Sequence, residues 1–314
     1  MVNSNMKRNQ LITTAKLYYI DGLSQKAIAK KLKVSRPTVS RLLKSSLREG
    51  IVQIRIDEVP SSGIELGIQI QKKFAIEKVI VVPSGSDINE SKQNTGAAAA
   101  LYLESTLKNG TLLGIAWGTT LSYVVKNIQH HPLKKIDVIQ MIGGLRNKTQ
   151  DTDANALALS LASILDGNSY LLQAPFLVKS KILKDLLMDE PHFREHFEIM
   201  KNISVALVGL GSSKPELSAQ YRSGHITLED IRKLRREGAV GDICGRYIDI
   251  YGNPCHNSFT ERMLSISLDD LKKIPTVIGI ACGKEKKDII SGALKGEYID
   301  ILITDKNAAL AILD

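Results

Sequence analysis

The feature that most constrains the fold is an alternation of short apolar runs with helical stretches through residues 66–314. The runs are KVIVVPSG, TLLGIAWG, DVIQMIGG, YLLQAP, VALVGLG, TVIGIACG and YIDILITD. Many are rich in β-branched residues, and all but YLLQAP end in glycine or aspartate. Such runs are typical of strands buried on both faces, and strands separated by helices pair in parallel. The sequence therefore predicts an α/β domain with a largely parallel, Rossmann-like sheet covered by helices.

Residues that directly follow the strands are candidates for ligand binding, because ligands of open parallel sheets lie beyond the carboxyl ends of the strands. Gly118, Thr119 and Thr120 follow one strand and open a helix. Free backbone N–H groups at the positive end of a helix favour a phosphate. The alternative is that Thr119 or Thr120 only caps the helix.

Other strand ends offer further polar or flexible residues. The candidates are Gly143 and Gly144 for close backbone approach, Gln173, Asp242 for sugar hydroxyls, and Lys284 or Lys286 for a phosphate. Asp242 could instead cap a turn, and each lysine could be a solvated residue at a helix start. Their recurrence at strand ends favours a shared site.

The segment Ser24–Asp57 predicts a helix-turn-helix followed by a β-wing. Ser24 and Ser35 are suited to cap two helices, and Pro37 lies near the start of the second, where its missing N–H costs nothing. The polar face of this motif predicts contact with a DNA major groove. The predicted DNA-binding residues are Gln25, Ser35, Arg36, Pro37, Thr38, Ser40, Arg41 and Lys44.

Charge is concentrated on this segment. Residues 1–57 contain twelve lysines and arginines and three acidic residues, whereas the remainder of the chain contains 30 of each sign. A local cationic excess is the pattern of a protein that binds the phosphate backbone. A solvated basic face is the alternative, but the concentration of the whole net charge of +9 in this part favours DNA binding.

The supporting helix before the motif is predicted over Asn9–Ile20. We expect Tyr18 and Tyr19 to pack in its core, with a DNA contact as the alternative. The turn-rich stretch EVPSSGIE predicts a linker. The predicted organisation is a winged helix-turn-helix domain over residues 1–57, a linker over 58–65 and a ligand-binding and oligomerisation domain over 66–314.

Composition and residue spacing give no sign of a membrane protein or a metal site. A hydrophobic fraction of 43% is ordinary for a globular chain, no apolar run approaches the roughly 20 residues of a membrane span, and the N-terminus has no apolar signal core. We therefore expect a cytoplasmic protein. Cys244, Cys255 and Cys282 lack metal-ligand spacing. We predict no metal site, no cofactor and no catalytic residue.

Taken together, these motifs resemble the SorC family of bacterial transcription regulators over nearly the whole chain. The carrying motifs are LYYIDGLSQKAIAKKLKVSRPTVSRLL, GIAWGTT, GAVGDICGRYID with YGN, and GALKGEYIDILITD. Within the family, SRPTVSRLL, WGTT and GDICGR look closest to the deoxyribonucleoside regulators.

The resemblance implies an effector domain with the fold of phosphosugar isomerases, a phosphorylated sugar as effector, and DNA binding as a homodimer or tetramer. By motif, Gly118, Thr119 and Thr120 would form the phosphate loop. Asp242 would contact the sugar and Lys286 the phosphate. Lys284 does not match the family's lysine position.

One position departs from the family pattern. Before the pair of glycines, the deoxyribonucleoside regulators carry a lysine that forms a Schiff base with deoxyribose 5-phosphate, and regulators of glycolytic genes carry an arginine for a second phosphate. Here that residue is Ile142. We therefore expect a mono-phosphorylated sugar or polyol held by hydrogen bonds.

The sequence predicts a regulator of a carbohydrate-utilisation operon whose affinity for operator DNA depends on such an effector. One alternative is a constitutive DNA-architectural protein without a ligand, which would leave the strand-end loops unexplained. The other is a phosphosugar isomerase or deaminase fused to a DNA-binding domain. That chemistry needs a second acid or base beside Asp242, and the strand ends offer no convincing second carboxylate or histidine.

Overall fold

The computed structural model describes residues 2–52, 61–129, 135–144, 153–256 and 259–314. The chain divides into two compact units, Met1–Glu58 and Val59–Asp314. Among the described residues, none of the helices has the length and apolar character needed to cross a membrane.

The described part of the first unit contains three α-helices. They are α1 (Val2–Ala15), α2 (Gln25–Leu32) and α3 (Arg36–Arg48), with a π-helical turn over Lys16–Ile20. The Ser24 hydroxyl accepts a hydrogen bond from the Ala27 N–H at 3.2 Å and begins α2. Lys33 ends α2 in the left-handed conformation, with φ of 54°. The sharp turn between α2 and α3 is therefore built by a cap on one side and a left-handed residue on the other.

A small apolar core joins these helices. Leu17, Ile28, Val39 and Leu43 are buried together, so the inward face of α3 is apolar and its other face is polar. Tyr18 and Tyr19 are exposed, and the expectation that they pack in the core is wrong. They follow Leu17 by one and two positions in the π-helical turn, and residues one or two apart in a helix do not share a face, so they lie away from the buried side of Leu17. The predicted wing falls mostly on residues 53–57, which lie outside the described residues.

The second unit is a layered α/β domain. Its strands are β1 (Lys78–Val82), β2 (Leu112–Ile115), β3 (Asp137–Gln140), β4 (Ser169–Tyr170), β5 (Val205–Ser212), β6 (Gly241–Ile243), β7 (Arg246–Ile248), β8 (Thr276–Ala281) and β9 (Ile301–Asp305). Its helices are α4 (Ser61–Phe74), α5 (Ile88–Thr106), α6 (Thr119–Asn127), α7 (Ala154–Ile164), α8 (Lys181–Asp189), α9 (Pro191–Met200), α10 (Ala219–Arg222), α11 (Leu228–Arg236), α12 (Leu268–Leu271), α13 (Lys287–Lys295) and α14 (Lys306–Leu313). Short 3-10 turns cover Thr260–Arg262 and Lys284–Lys286.

The main sheet has the strand order β1-β9-β8-β5-β2-β3-β4, and all of its pairings are parallel. From β2 the chain continues to β3 and β4 on one side of the sheet. It then crosses to β5, on the other side of β2, and continues from there towards β8. A crevice opens at such a reversal of strand order. The hairpin of β6 and β7 joins β5 by antiparallel pairing, with Asp242 opposite Gly211. This hairpin brings an acidic residue to the crevice.

The second half of the predicted linker is helical, because α4 begins at Ser61. Leu66 and Ile70 are buried on one face of α4, which packs on β1 and α14. This packing outweighs the turn preference of the serines and glycine in the first turn. The predicted strand YLLQAP is also shorter than expected. Only its first residue, Tyr170, belongs to β4, and the chain between β4 and α8 is irregular.

Candidate functional site

A cavity of about 370 Å³ lies at the carboxyl ends of β2, β5 and β8. The strand-end residues that line it include Ala116, Gly211 and Cys282. Its position coincides with the reversal of strand order between β2 and β5, where parallel sheets bind ligands. The volume lies within the usual range for small-molecule sites.

The structure brings together only part of the residue set that the sequence singled out. The cavity is lined by Gly118, Thr119, Thr120, Asp242 and Lys286. Gly143, Gly144 and Gln173 do not line it. The candidates after β2 and β8 and the acidic residue of the β6–β7 hairpin therefore converge on one space, whereas the glycine pair after β3 and Gln173 after β4 do not.

The first turn of α6 faces the cavity with free donors. Gly118 precedes the helix with φ of 153°, and no side chain caps this end. The Ser122 N–H donates to the Gly118 carbonyl at 3.0 Å, which is the first bond of the helix. The N–H groups of Thr119, Thr120 and Leu121 have no partner in the described part of the chain. An anion at this end would satisfy them and meet the positive end of the helix dipole.

Asp242 contributes a buried carboxylate. Its Oδ2 accepts a hydrogen bond from the Gly245 N–H at 3.0 Å. Burial raises the pKa of Asp242 to about 6, although the charge of Lys286 and the Gly245 hydrogen bond act in the opposite direction. At neutral pH the group is mostly ionised and can accept further hydrogen bonds from hydroxyl groups.

Gly211 makes room for this carboxylate. A Cβ atom at Gly211, opposite Asp242 in the hairpin register, would overlap Asp242 Oδ1. By contrast, a Cβ atom at Gly209 on the same strand would meet only Leu121 Cγ, at 3.9 Å. The position of Asp242 therefore depends on the absence of a side chain at Gly211.

Lys286 lies at the end of the Lys284–Lys286 turn, and its Nζ donates to the Leu210 carbonyl at 2.8 Å. Burial lowers the pKa of Lys286 to about 8, while the charge of Asp242 opposes this shift. Lys284, two residues earlier, is exposed and does not line the cavity. The two lysines, both candidates by sequence, are thus separated by the structure.

Two cations that the sequence analysis did not identify also line the cavity, Lys92 on α5 and Arg222 on α10. Burial lowers the pKa of Lys92, and the charge of Arg222 contributes to the same shift. Neither side chain has a hydrogen bond or ion pair in the described part of the chain. Two neighbouring cations without an anionic partner favour binding of an anionic ligand.

A sequence signal for Lys92 existed in the glycine inside α5. A Cβ atom at Gly96 would lie 2.6 Å from Tyr123 Cβ on α6, so the two helices touch there. One turn earlier on each helix lie Lys92 and Thr119, and both face the cavity. A glycine within a helical pattern often marks such a close approach. No comparable signal points to Arg222.

The glycine pair after β3 is structural in this arrangement. A Cβ atom at Gly143 would lie 2.8 Å from the Phe176 nitrogen. The Gly143 N–H donates to the Leu264 carbonyl and the Gly144 N–H to the Ala174 carbonyl, both at 2.9 Å. Gly143 therefore permits a tight backbone crossing, whereas a Cβ atom at Gly144 would make only ordinary contacts, and neither glycine lines the cavity. Gln173 is exposed.

Ile142 forms an apolar wall of the cavity and is fully buried. Beside it, Trp117 and Phe176 make an edge-to-face contact with ring centroids 6.0 Å apart. Phe176 also lies against Gly245. This wall contains no amine or guanidinium group, so it favours the carbon atoms of a ligand.

Of the predicted DNA-binding residues, Gln25 begins α2, and the others lie at the α2–α3 turn and along α3. Arg36, Pro37, Arg41 and Lys44 are exposed, whereas Thr38, Ser40 and Gln25 are half-buried. The Ser35 hydroxyl accepts from the Thr38 N–H at 3.3 Å and is 2.8 Å from the Thr38 hydroxyl. Ser35 therefore has a capping role beside any contact with DNA.

Comparison with protein families finds two matching domains. Residues 60–314 match the family described as "Putative sugar-binding domain". Residues 12–55 match the family described as "Homeodomain-like domain". The larger match covers most of the chain and contains the whole cavity.

Curated relatives and solved structures share both parts of the chain. The deoxyribonucleoside regulator of Bacillus subtilis (strain 168) is 31% identical over 312 residues, covering 98% of each chain. The sorbitol operon regulator of Klebsiella pneumoniae is 31% identical over 306 residues, covering 96% of this chain and 97% of the relative. The crystal structure of the full-length sorbitol operon regulator SorC from Klebsiella pneumoniae has a TM-score of 0.84 at 30% identity and covers 98% of each chain.

Proposed function

Because this chain belongs to the SorC family of bacterial transcription regulators, we propose that a mono-phosphorylated sugar or polyol binds its cavity and controls its affinity for operator DNA. The chain is a transcription regulator with a helix-turn-helix DNA-binding part and a sugar-binding domain. We add the inference that the effector carries a phosphate group. The observation that carries it is the unpaired first turn of α6 among three cations.

The phosphate would lie at the first turn of α6, where Thr119 and Thr120 offer N–H groups and hydroxyls. Lys286 and the newly identified Lys92 and Arg222 line the same cavity. A phosphate monoester carries about two negative charges and three acceptor oxygens, which suits clustered cations and backbone donors. A neutral sugar would leave these donors and cations uncompensated.

The carbon skeleton of the effector would lie between Asp242 and the wall formed by Ile142. The Asp242 carboxylate is suited to accept hydrogen bonds from sugar hydroxyls. Ile142 supplies no amine for a Schiff base and no cation for a second phosphate. We therefore favour a single phosphate at one end of the effector and hydrogen-bonded hydroxyls at the other.

We propose that the cavity binds its ligand without turnover. The alternative, a phosphosugar isomerase or deaminase, needs two groups for proton transfer. Among the described lining residues, the carboxylates are Asp242 and Glu285, and Glu285 is exposed. Product formation from glucosamine 6-phosphate or ribose 5-phosphate by the purified protein would establish the enzymatic alternative.

Regulation further requires that the effector bind two states of the protein differently, because equal affinity for both shifts nothing. We propose a homodimer or homotetramer in the cytoplasm, with a DNA-binding domain over residues 1–57 and an effector domain over 66–314. An effector that changes how two effector domains pack would change the separation of two recognition helices. That separation must match the spacing of two half-sites on DNA.

The proposal is tested by thermal unfolding of the full chain with phosphorylated sugars and polyols, each compared with its unphosphorylated parent. A ligand at about one hundred times its Kd adds roughly 2.7 kcal/mol to the free energy of unfolding. We expect a phosphate ester to raise the Tm and its parent to leave it unchanged. A parent that acts as strongly as its ester would remove the phosphate from the proposal. A response to deoxyribose 5-phosphate alone would show that Ile142 does not have the expected consequence.

Gly211→Ala is expected to abolish the response to the effector identified in that panel. The added methyl group would displace the Asp242 carboxylate from its place opposite Gly211. The matched control is Gly144→Ala, because Gly144 does not line the cavity and its methyl group would meet Asp153 Oδ1 at an ordinary 3.6 Å. Isothermal titration and melting curves of both variants provide the measurement. If Gly211→Ala binds the effector as the unsubstituted protein does, Asp242 in its present position is not a ligand.

A further inference from the structure

Helix α8 presents an unusually apolar outer face. Ile182, Leu183 and Leu186 are 73%, 40% and 60% exposed. None of the residues of α8 is fully buried, although the helix rests on α9 and on the Thr260–Arg262 turn. A contiguous apolar surface on a globular protein marks a site of association.

The charges of α8 run against its own dipole. Lys179 and Lys181 lie at its N-terminal end, and Asp185, Asp189 and Glu190 follow towards its C-terminal end. Cations at the N-terminus and anions at the C-terminus of a helix are unfavourable for the isolated helix. The Lys181–Asp185 ion pair, at 2.9 Å between two exposed side chains, offsets little of this. An antiparallel neighbour of the same sequence would place each charged end against its opposite.

From this apolar face and its charge order, we propose that α8 packs antiparallel against α8 of a second copy of the chain across a two-fold axis. In a two-fold contact, residue i of one copy meets residue j of the other and the reverse also holds. A register in which Ile182 meets the partner's Leu186 also places Lys179 opposite the partner's Asp189. The side chains of Lys179 and Asp189 are exposed and have no hydrogen bond or ion pair in the described part of the chain.

This inference rests on the proposed homo-oligomer and adds the surface that forms it. Stable interfaces bury roughly 1,200–2,000 Å² in total, so two short helices supply the apolar centre of a larger contact. Central apolar side chains dominate the affinity of such contacts. The same segment that leads into α8 carries Phe176, which packs beside the cavity.

The test is the mass of the full chain in solution, measured by light scattering coupled to size-exclusion chromatography. We expect the double variant Ile182→Lys/Leu186→Lys to halve the mass and to raise the dissociation constant at least about a hundredfold. The control is Leu310→Lys on α14, because Leu310 has a similar exposure of 43%. Circular dichroism should show both variants folded, since the replaced side chains are exposed.

A charge exchange tests the antiparallel register. Asp189→Lys alone should weaken association, and Lys179→Glu/Asp189→Lys should restore it, because the exchange recreates opposite charges across the axis. A failure of the exchange to restore the mass would overturn the register. An unchanged mass for Ile182→Lys/Leu186→Lys would overturn the α8 surface but leave the homo-oligomer standing. A monomeric unsubstituted protein would overturn the homo-oligomer itself.

Discussion

Replacing Lys286 with methionine is expected to raise the Kd for the phosphorylated effector at least about a hundredfold, or ~2.7 kcal/mol, without changing operator affinity in the absence of effector. The Lys286 ammonium group lies in the cavity with Asp242 and donates to the Leu210 carbonyl. Methionine keeps a similar length and apolar stem but supplies no charge for a phosphate. Titration calorimetry and an operator-binding assay on the same preparation separate the two effects.

The matched control is Lys284→Met, which removes one positive charge from the same turn outside the cavity. If Lys284→Met weakens effector binding as much as Lys286→Met does, the loss of affinity comes from the lower positive charge of the protein and not from a lost contact between Lys286 and the effector. An unchanged dose response for Lys286→Met would remove Lys286 from the site.

The same substitution should remove a contribution of Lys286 to the stability of the ligand-free protein that rises with pH, which melting curves of both proteins over a range of pH would measure. The pKa of Lys286 is lowered from 10.5 to about 8 because burial penalises its charged form. At pH 7 the lysine is charged in both the folded and unfolded states, so the folded protein bears this penalty in full. As pH rises from about 8 to 10.5, the folded state loses the proton first and the penalty fades. A binding residue held at a cost to stability is typical of a functional site.

The sequence predicted the parts of the site that follow from strand-end position. Thr119, Asp242 and Lys286 lie where three neighbouring elements meet at one edge of the sheet, and the cavity contains all three. Their roles in binding stay predictions. Gly143 and Gly144 follow a strand by the same rule, but neither lines the cavity, and Gly143 instead allows the backbone to cross the Pro175–Phe176 segment. A sequence pattern does not distinguish a glycine that makes room for a ligand from a glycine that makes room for the backbone of the chain itself.

Other parts of the site depended on packing that sequence periodicity does not report. Lys92 reaches the cavity because α5 and α6 touch at Gly96, a contact between residues distant in sequence. Arg222 reaches it from α10, a helix of 4 residues inside a long connection. Tertiary packing also explains why α4 begins within the predicted linker, because the buried side chains of Leu66 and Ile70 hold this helix against the core. Local residue preferences predicted most of the helices and strands, and tertiary contacts explain where the structure differs from the prediction.

Arg41→Ala is expected to weaken operator binding roughly tenfold or more and to leave the effector-induced rise in Tm intact. Arg41 is exposed on α3, whose opposite face is fixed in the core by Val39 and Leu43. The substitution therefore removes a cation from the side of α3 that is predicted to face DNA, without disturbing the buried side of the helix. The measurement is operator affinity as a function of salt, made on operator DNA and on a scrambled duplex.

The two duplexes distinguish the kind of interaction that Arg41 makes. If Arg41 binds a phosphate, its removal should weaken both duplexes equally and reduce the salt dependence by about one ion, whereas a side chain that reads a base should matter more for the operator. The matched control is Arg235→Ala, which removes an exposed cation from α11 in the other unit. If Arg235→Ala weakens operator binding as much as Arg41→Ala, net charge and not the recognition helix governs affinity. Equal damage to operator binding and effector response in Arg41→Ala would contradict the assignment of these functions to two separate domains.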